Sequence, residues 1–361
     1  MSVFSFVLVL ILSVISWIFK KKYGKYSKLP PGPPALPIIG SIPFLDRKKG
    51  NADATLHKSF YKQYPDIYTL WLGSKPLLVI QNFNLAKDLF AREEFSGRGT
   101  PSKFHLNYIR GKNGQPLGIV STTGSIWQEQ RRFALRHLKD LGFGKQKLDV
   151  IIQDETKYLI DDIILKSNDG DLLFDEIFNF PIINILWQIV ASKRYDANLP
   201  KNKRMMENVT EFFKTGYPPL AFLWVVTKLR DLCGHPLFRM DHMMLDLKAI
   251  FRSQVQEHLR DFDSGGFEAP RDFIDLYLKE IKQREKCKSS SSVDPQDTFS
   301  SFNIEQLITI CFDFFQAGAD TSSTTLSWAV LYLTLYPEVQ EMCRSEIDQN
   351  LGGSYPFKCV F

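Results

Sequence analysis

One stretch organises the chain: Phe314-Phe315-Gln316-Ala317-Gly318-Ala319-Asp320-Thr321-Ser322-Ser323-Thr324-Thr325. It lies in the middle of a long apolar pattern. Asn303 is a good N-cap for this pattern, with Gln306 three residues later as in a capping box. The pattern runs to Tyr336, where Pro337 stops it. These bounds predict a helix of about 33 residues, or ~50 Å at 1.5 Å per residue, which is long enough to cross a whole domain.

The centre of this helix is poor helix material. Gly318 costs ~1 kcal/mol relative to alanine, and Asp320 is followed by five consecutive hydroxyl residues. We expect the Thr321 hydroxyl to bond the Ala317 carbonyl four residues back, which would open a groove beside Gly318. A carboxylate next to a hydroxyl in such a helix indicates a functional site. The alternative is a crossing point of small residues, with Asp320 capped by the neighbouring hydroxyls.

The N-terminus predicts a membrane anchor. Residues 2–19 carry no charge, and these 18 residues are at the short end for a bilayer span. Five lysines follow them, and the positive-inside rule keeps such residues cytoplasmic: Lys20, Lys21, Lys22, Lys25 and Lys28. The N-terminus is then lumenal and the body cytosolic. A cleaved signal peptide is the alternative, although the basic start and small-residue cleavage site of such a peptide are lacking.

Residues 20–40 form a basic patch and a proline-rich hinge. The run Leu29-Pro30-Pro31-Gly32-Pro33-Pro34 favours an extended, semi-rigid spacer, with an SH3-type ligand as the alternative. The chain has 45 basic and 40 acidic residues, so its net charge of +5 equals the five lysines of the patch. The remainder is balanced and does not favour a nucleic acid as partner. The lysines suit anionic lipid headgroups instead.

The sequence of the body predicts a mainly α fold with a small β portion. Residues 67–72 and 77–80 predict a β-hairpin, and Asn82 or Asn84 then caps a short helix that ends near Phe90. A later helix carries Trp127 and Arg131 four residues apart, so the two side chains share one face. An indole N–H beside a guanidinium is a donor pair suited to a carboxylate. The alternative is a solvated basic face, with Trp127 as core filler.

These two motifs resemble the cytochrome P450 family, the haem-thiolate monooxygenases. Ala317-Gly318-Ala319-Asp320-Thr321 is similar to the Ala/Gly-Gly-x-Asp/Glu-Thr pattern of the family's central helix, and Trp127 with Arg131 is similar to its Trp-x-x-x-Arg. The resemblance covers nearly all of residues 1–350 and is nearest to the membrane-bound animal branch, including insect enzymes. It implies that residues 41–353 are the N-terminal part of a cytochrome P450 domain, with a divergent tail at 354–361.

The resemblance implies a haem cofactor and a role for seven positions. These are the proton-delivery residues Asp320 and Thr321, the oxygen-groove residues Ala317 and Gly318, and the propionate-binding residues Arg98, Trp127 and Arg131. The implied reaction inserts one oxygen atom into a small apolar substrate such as a lipid, hormone or xenobiotic. NADPH would supply electrons through a flavoprotein reductase. The implied location is the endoplasmic reticulum membrane, with a single span and a cytosolic body.

Two family features are missing from the sequence. There is no Phe-x-x-Gly-x-x-x-Cys-x-Gly loop to supply the axial thiolate. Glu341-Met342-Cys343-Arg344 matches the preceding Glu-x-x-Arg by letter but follows Thr321 too closely, so we expect only a surface ion pair. None of the five cysteines is a credible axial ligand, and no metal ligand is assigned: Cys233, Cys287, Cys311, Cys343 and Cys359. Enzyme activity is therefore an open question. The alternatives are an inactive, truncated, membrane-anchored fragment that binds haem weakly or not at all, and a purely structural anchored helical protein.

Overall fold

The computed structural model describes residues 24, 26, 28–36, 39–45, 60–73, 75–97, 111, 115–142, 146–168, 177–215, 239–265, 269–289 and 301–351. The predicted anchor at 2–19 and the predicted tail at 354–361 lie outside these residues. Within the described part of the chain, no helix is both long enough and apolar enough to cross a membrane. The chain divides into a smaller unit, Met1–Gly97 with Tyr217–His235, and a larger unit, Arg98–Gly216 with Pro236–Phe361.

The smaller unit contains the predicted hairpin. Strands β1 (Ile67–Leu72) and β2 (Lys75–Ile80) pair in antiparallel register. Strand β2 begins two residues earlier than predicted, because Gly73 has a φ of +60° and turns the chain so tightly that Leu72 already pairs with Lys75. Helix α1 (Phe83–Phe90) follows, and the Asn82 side chain caps it by accepting a hydrogen bond from the backbone N–H of Leu85.

The described part of the proline-rich hinge is bonded to strand β1. The carbonyl oxygen of Pro30 accepts the Thr69 hydroxyl at 2.6 Å, and that of Pro31 accepts the Thr69 backbone N–H at 3.1 Å. Farther along, the N–H of Ser41 donates to the Trp71 carbonyl at 2.7 Å. The extended backbone of the proline run thus satisfies hydrogen-bonding groups along one edge of the hairpin.

Gly32 is the tightest point of this contact, because a Cβ atom there would overlap the carbonyl oxygen of Thr69. We expect Gly32→Ala to lower the free energy of unfolding by about 1–3 kcal/mol and to speed proteolytic cleavage of the proline segment. Limited proteolysis followed by mass spectrometry measures this. Gly24→Ala is the control, since a Cβ at Gly24 meets nothing within 4 Å. Equal cleavage rates for the two variants would contradict the prediction.

All the regular elements described in the larger unit are helices, so the chain as described is mainly α with a two-stranded sheet, as predicted. Its helices are α2 (Gly124–Asp140), α3 (Gln146–Ser167), α4 (Asn179–Ala191), α5 (Pro200–Thr215), α6 (Arg239–Gly265), α7 (Phe273–Ser289), α8 (Ile304–Leu335) and α9 (Pro337–Leu351).

Helix α8 is the predicted central helix, and its 32 residues match the predicted bounds. The Asn303 side chain caps it by accepting the backbone N–H of Gln306 at 2.9 Å. Helices α4, α6 and α7 pack around it. The centre of the core is a group of aromatic rings, in which Phe315 of α8 lies 5.5 Å from Trp187 and 5.1 Å from Phe251 between ring centroids.

The two halves of α8 have different surroundings. Every residue from 306 to 313 is buried, whereas most residues from 321 onward are exposed. The exposed half carries a row of rings at i, i+4 and i+8: Trp328 lies 6.0 Å from Tyr332, which lies 6.4 Å from Tyr336. One helix therefore joins a close-packed region to an open face.

Helix α9 begins at Pro337 as predicted, but the ion pair expected on it is wrong. Arg344 contacts Asp348 at 3.9 Å instead of pairing with Glu341 in the described structure. Positions three and four residues apart are both neighbours on a helix, so sequence spacing alone did not decide which acid Arg344 would meet.

A buried histidine joins α6 to α7. His258 Nε2 lies 3.0 Å from Asp272 Oδ2, and His258 Nδ1 lies 2.9 Å from the backbone carbonyl of Gln254. A carbonyl only accepts, so Nδ1 must carry a proton. Burial lowers the pKa of His258, but the hydrogen bond and charge of Asp272 outweigh it, and the net effect raises the pKa above its usual value. The pair favours the charged imidazolium.

The stabilisation from charged His258 is present below the unfolded pKa of about 6.5 and is lost as pH rises through the raised folded pKa. We therefore expect the difference in unfolding free energy between the native chain and His258→Gln to be larger near pH 6 than near pH 8.5. Urea unfolding followed by circular dichroism measures it. His242→Gln, at an exposed position on the same helix, is the control and should show no such difference.

Candidate functional site

Trp127 and Arg131 lie side by side on α2, as their spacing predicts. The guanidinium carbon of Arg131 lies 5.6 Å from the centre of the Trp127 ring, so the shared face is confirmed. Trp127 is half-buried and Arg131 is exposed. The ring packs against the unit on one side and supports the guanidinium on the other, which limits the number of positions the arginine can take. Arg98, the third predicted member, lies outside the described residues.

The second group of predicted residues is on α8. The Thr321 hydroxyl donates to the Ala317 carbonyl at 2.9 Å, which confirms the predicted bond, and both residues are exposed on one face of the helix. Because the hydroxyl proton is used within the helix, the lone pairs of Thr321 Oγ1 are available to accept a hydrogen bond from outside it. Asp320 is half-buried beside this face.

Other hydroxyls in the centre of α8 bond in the same way. Ser323 donates to Ala319 at 2.5 Å, and Thr325 donates to Thr321 at 2.8 Å. The helix is nevertheless unbroken from Ile304 to Leu335. The hydroxyls therefore add bonds to carbonyls that also accept from the backbone.

Gly318 lies against α4. A Cβ atom at Gly318 would lie 2.6 Å from Cδ2 of Leu186 on α4, so the leucine side chain fills the space that the glycine leaves. A larger residue at this position would require the Leu186 side chain to shift. The role of Ala317 and Gly318 in admitting dioxygen stays a prediction.

A clamp that the sequence analysis did not anticipate holds the segment before α2 against α8. Gln306 of α8 accepts the Gly118 N–H at 3.0 Å and donates to the Gly118 carbonyl at 3.1 Å. Asp313, two turns farther along, accepts the N–H groups of Ile119 at 2.6 Å and Val120 at 3.0 Å through Oδ2. The chain entering α2 is thus bonded to two side chains of the central helix.

Only glycine fits at position 118 in this arrangement. Its φ is +83°, and a Cβ atom there would overlap the Asp313 carboxylate and lie 2.9 Å from Cγ2 of Thr309. The sequence did contain a signal. Gln306 and Asp313 are polar residues seven positions apart on a stretch of helix that is otherwise apolar except for Thr309, and buried polar groups require partners.

We expect Asp313→Ala to lower the free energy of unfolding by about 1–2 kcal/mol, because it leaves two partly buried N–H groups without their charged acceptor. Backbone amides of residues 118–120 should also exchange hydrogen faster, and hydrogen-exchange mass spectrometry measures this. Thr334→Ala, at an exposed position of α8, is the control. Unchanged exchange in residues 118–120 of Asp313→Ala would show that the clamp is not formed.

No described residues form a good metal site. His258, Asp272 and Asp275 place one ligand atom each within 4.8 Å of one another, but Arg271 already binds Asp275 at 2.8 Å and Asp272 caps α7 by accepting the Asp275 N–H. These carboxylates are used in structural bonds. The cluster therefore has no donor set left for an ion.

The three described cysteines differ in burial. Cys311 is fully buried, and burial raises the pKa of its thiol, which keeps the sulfur protonated. Cys287 and Cys343 are exposed on α7 and α9. Cys233 and Cys359 lie outside the described residues.

Comparison with known proteins decides the family. The sequence profile of the cytochrome P450 family matches residues 30–359. The chain belongs to the cytochrome P450 family. Cytochrome P450 2J3 of Rattus norvegicus is 31% identical over 356 residues, covering 95% of this chain and 65% of that protein. Cytochrome P450 2C3 of Oryctolagus cuniculus is 34% identical over 346 residues, covering 94% and 65%. Cytochrome P450 2L1 of Panulirus argus is 31% identical over 333 residues, covering 90% and 63%.

The resemblance read from the two motifs is therefore confirmed at the level of the family. A cytochrome P450 carries haem and receives electrons from a redox partner. This chain spans about 65% of the length of the relatives it matches. Its described residues fit one part of the cofactor: Trp127 and Arg131 are donors for carboxylates, and the face of Ala317 and Thr321 is open to a flat ligand.

Proposed function

We propose that this chain binds haem between the Trp127–Arg131 pair and the exposed face of α8. The observation that carries the proposal is the Arg131 guanidinium held over the Trp127 ring, with its outer side exposed. A guanidinium supported in this way presents paired N–H donors to a carboxylate, and the Trp127 indole N–H adds a third donor nearby. The two haem propionates are carboxylates of the required kind.

Each site residue then has a task that follows from its own chemistry. Arg131 and Trp127 neutralise and orient the propionates, together with Arg98. Thr321 Oγ1 accepts a hydrogen bond on the open side of α8, because its own proton is given to Ala317. Asp320 holds or releases a proton beside that acceptor, through ordered water. Ala317, exposed beside Thr321, leaves space next to the helix for a small molecule, whereas the space beside Gly318 is occupied by Leu186.

The bound haem would supply the activation of dioxygen, and the overall reaction would insert one oxygen atom into a small apolar substrate such as a lipid, hormone or xenobiotic. NADPH would provide the electrons through a flavoprotein reductase. We further propose a single-span location in the endoplasmic reticulum membrane with the body in the cytosol. The uncharged residues 2–19 and the lysines that follow them support this location.

A second candidate is a non-catalytic, membrane-anchored form that binds haem weakly or not at all. It is favoured by one observation: among the described cysteines, Cys311 on the central helix is fully buried, and burial raises the pKa of its thiol. Without a thiolate ligand, the electron donation that favours cleavage of the O–O bond is missing.

The reduced, carbon-monoxide-bound difference spectrum separates the two candidates. The full chain is expressed in microsomes with added haem precursor. A thiolate-type Soret band supports the monooxygenase and means that a cysteine supplies the axial ligand. A histidine-type band supports a haem protein without monooxygenase chemistry, and the absence of a band supports the fragment that does not hold haem.

Haemin titration of the full chain, followed by the Soret absorbance, tests the donor pair directly. We expect Arg131→Ala to weaken haemin binding about tenfold, the effect of losing one charge-assisted contact. Trp127→Phe keeps a ring under Arg131 but removes the indole N–H, so its effect should be smaller. Arg136→Ala removes an exposed arginine of the same helix and should leave the affinity unchanged. Equal affinities in all variants would favour a purely structural protein.

A further inference from the structure

Gln130 is a completely buried amide at the centre of the inward face of α2, with no exposed surface. The core around it is aromatic. The Phe133 ring lies 5.3 Å from Tyr277 and 5.0 Å from Phe302, in edge-to-face geometry. A polar amide in such surroundings is costly unless both of its ends are hydrogen-bonded.

Both ends of the Gln130 amide have partners on other segments. Oε1 accepts the hydroxyl of Tyr277 on α7 at 2.7 Å, and Nε2 donates to the backbone carbonyl of Ser301 at 3.1 Å, just before α8. The neighbouring Glu129 adds two contacts in the same directions, an ion pair with Arg284 of α7 at 2.8 Å and a hydrogen bond from the Ser301 hydroxyl. Helix α2 is therefore bonded to α7 and to the start of α8 from adjacent residues.

These bonds fix the rotation of α2 about its own axis. Apolar contacts are not directional, so the rings alone would tolerate some rotation of the helix. Any rotation that moves the Gln130 amide leaves a buried hydroxyl and a buried carbonyl without partners. Because Trp127 and Arg131 are on the same helix, three residues before and one residue after Gln130, they turn with it.

We infer that Gln130 is a positioning residue for carboxylate binding by Trp127 and Arg131. This inference rests on the proposed haem function. Gln130 does not touch the ligand, since it faces the core. It fixes the direction in which the donor pair points. The indole N–H and the guanidinium are therefore already oriented toward the propionates before haem binds.

The chain offers a closely matched control. Gln254 of α6 is also a buried amide between aromatic groups, accepting the Trp187 indole N–H at 3.0 Å and donating to the Tyr195 hydroxyl at 2.6 Å. Both of its side-chain partners lie on or just after α4, and neither lies on α2. Gln130→Leu and Gln254→Leu therefore remove the same kind of bonds at two places, only one of which bears on the donor pair.

The first test is haemin titration of the full-length variants. We expect Gln130→Leu to weaken binding about fivefold and Gln254→Leu to weaken it less than twofold. Tyr277→Phe is a milder variant that removes one partner of Gln130 without emptying space, and it should weaken binding about two- to threefold. Circular dichroism checks that each variant is folded under the titration conditions. Equal affinities of Gln130→Leu and Gln254→Leu would overturn the inference.

The second test is a double-mutant cycle with Arg131→Ala. If Gln130 acts by orienting Arg131, the arginine contributes little to haemin affinity once that orientation is lost. The double variant should then bind haemin no more than about tenfold more weakly than the native chain. Independent effects would multiply to about fiftyfold, and that result would mean that Gln130 serves the fold alone. In the Gln254→Leu background, Arg131→Ala should keep its full effect.

The third test needs no haem. Nitroxide labels at Leu135→Cys on α2 and Thr334→Cys on α8, both exposed positions, report the distance between the helices by electron paramagnetic resonance. The background replaces every cysteine except buried Cys311 with serine. We expect Gln130→Leu to broaden the distance distribution and Gln254→Leu to leave it narrow. An unchanged distribution would overturn the inference.

The outcomes distinguish a failure of the positioning role of Gln130 from a failure of the proposed haem binding. If Arg131→Ala weakens haemin binding while Gln130→Leu alters neither affinity nor distance, the proposed function stands and the inference fails. If Arg131→Ala has no effect on haemin binding, the proposed function fails and the positioning role fails with it.

Discussion

A polar side chain in the buried half of α8 has no water to bond, so it must find its partner within the protein. Thr309 bonds a carbonyl of its own helix, whereas Gln306 and Asp313 bond the backbone of residues 118–120. The same requirement applies to Gln130 on α2. Together these bonds fix α2 relative to α8. The two groups of candidate site residues lie on these two helices.

This arrangement explains why the candidate site divides into a fixed part and an open part. The elements beneath it are held by directional bonds in a close-packed core, while Arg131, Ala317 and Thr321 remain exposed. Binding a rigid, planar ligand favours such a division, because donors that are already oriented lose little freedom when the ligand arrives. Family membership and the donor pair are thus consistent with each other. Both hold although the chain spans only about 65% of the length of its relatives.

Local sequence signals predicted the elements that local forces determine. The cap at Asn303 and the stop at Pro337 each act within a few residues and hold in the structure, and the predicted hairpin forms with a second strand that begins two residues early. The Trp127–Arg131 contact and the Thr321 bond to Ala317 are set by helix geometry and were also predictable. What sequence could not supply was the partner of each long-range contact. Nothing local indicates that Gln306 meets Gly118 or that Leu186 fills the space at Gly318.

The contrast between the two halves of α8 has a mechanical consequence. A helix of 32 residues, buried on all sides over residues 306–313 and largely exposed beyond 321, resembles a beam fixed at one end. Force applied to the row of Trp328, Tyr332 and Tyr336 acts on the fixed end with the leverage of several helical turns. The load is borne there by the groups that bond Gln306 and Asp313, which are the backbone atoms leading into α2.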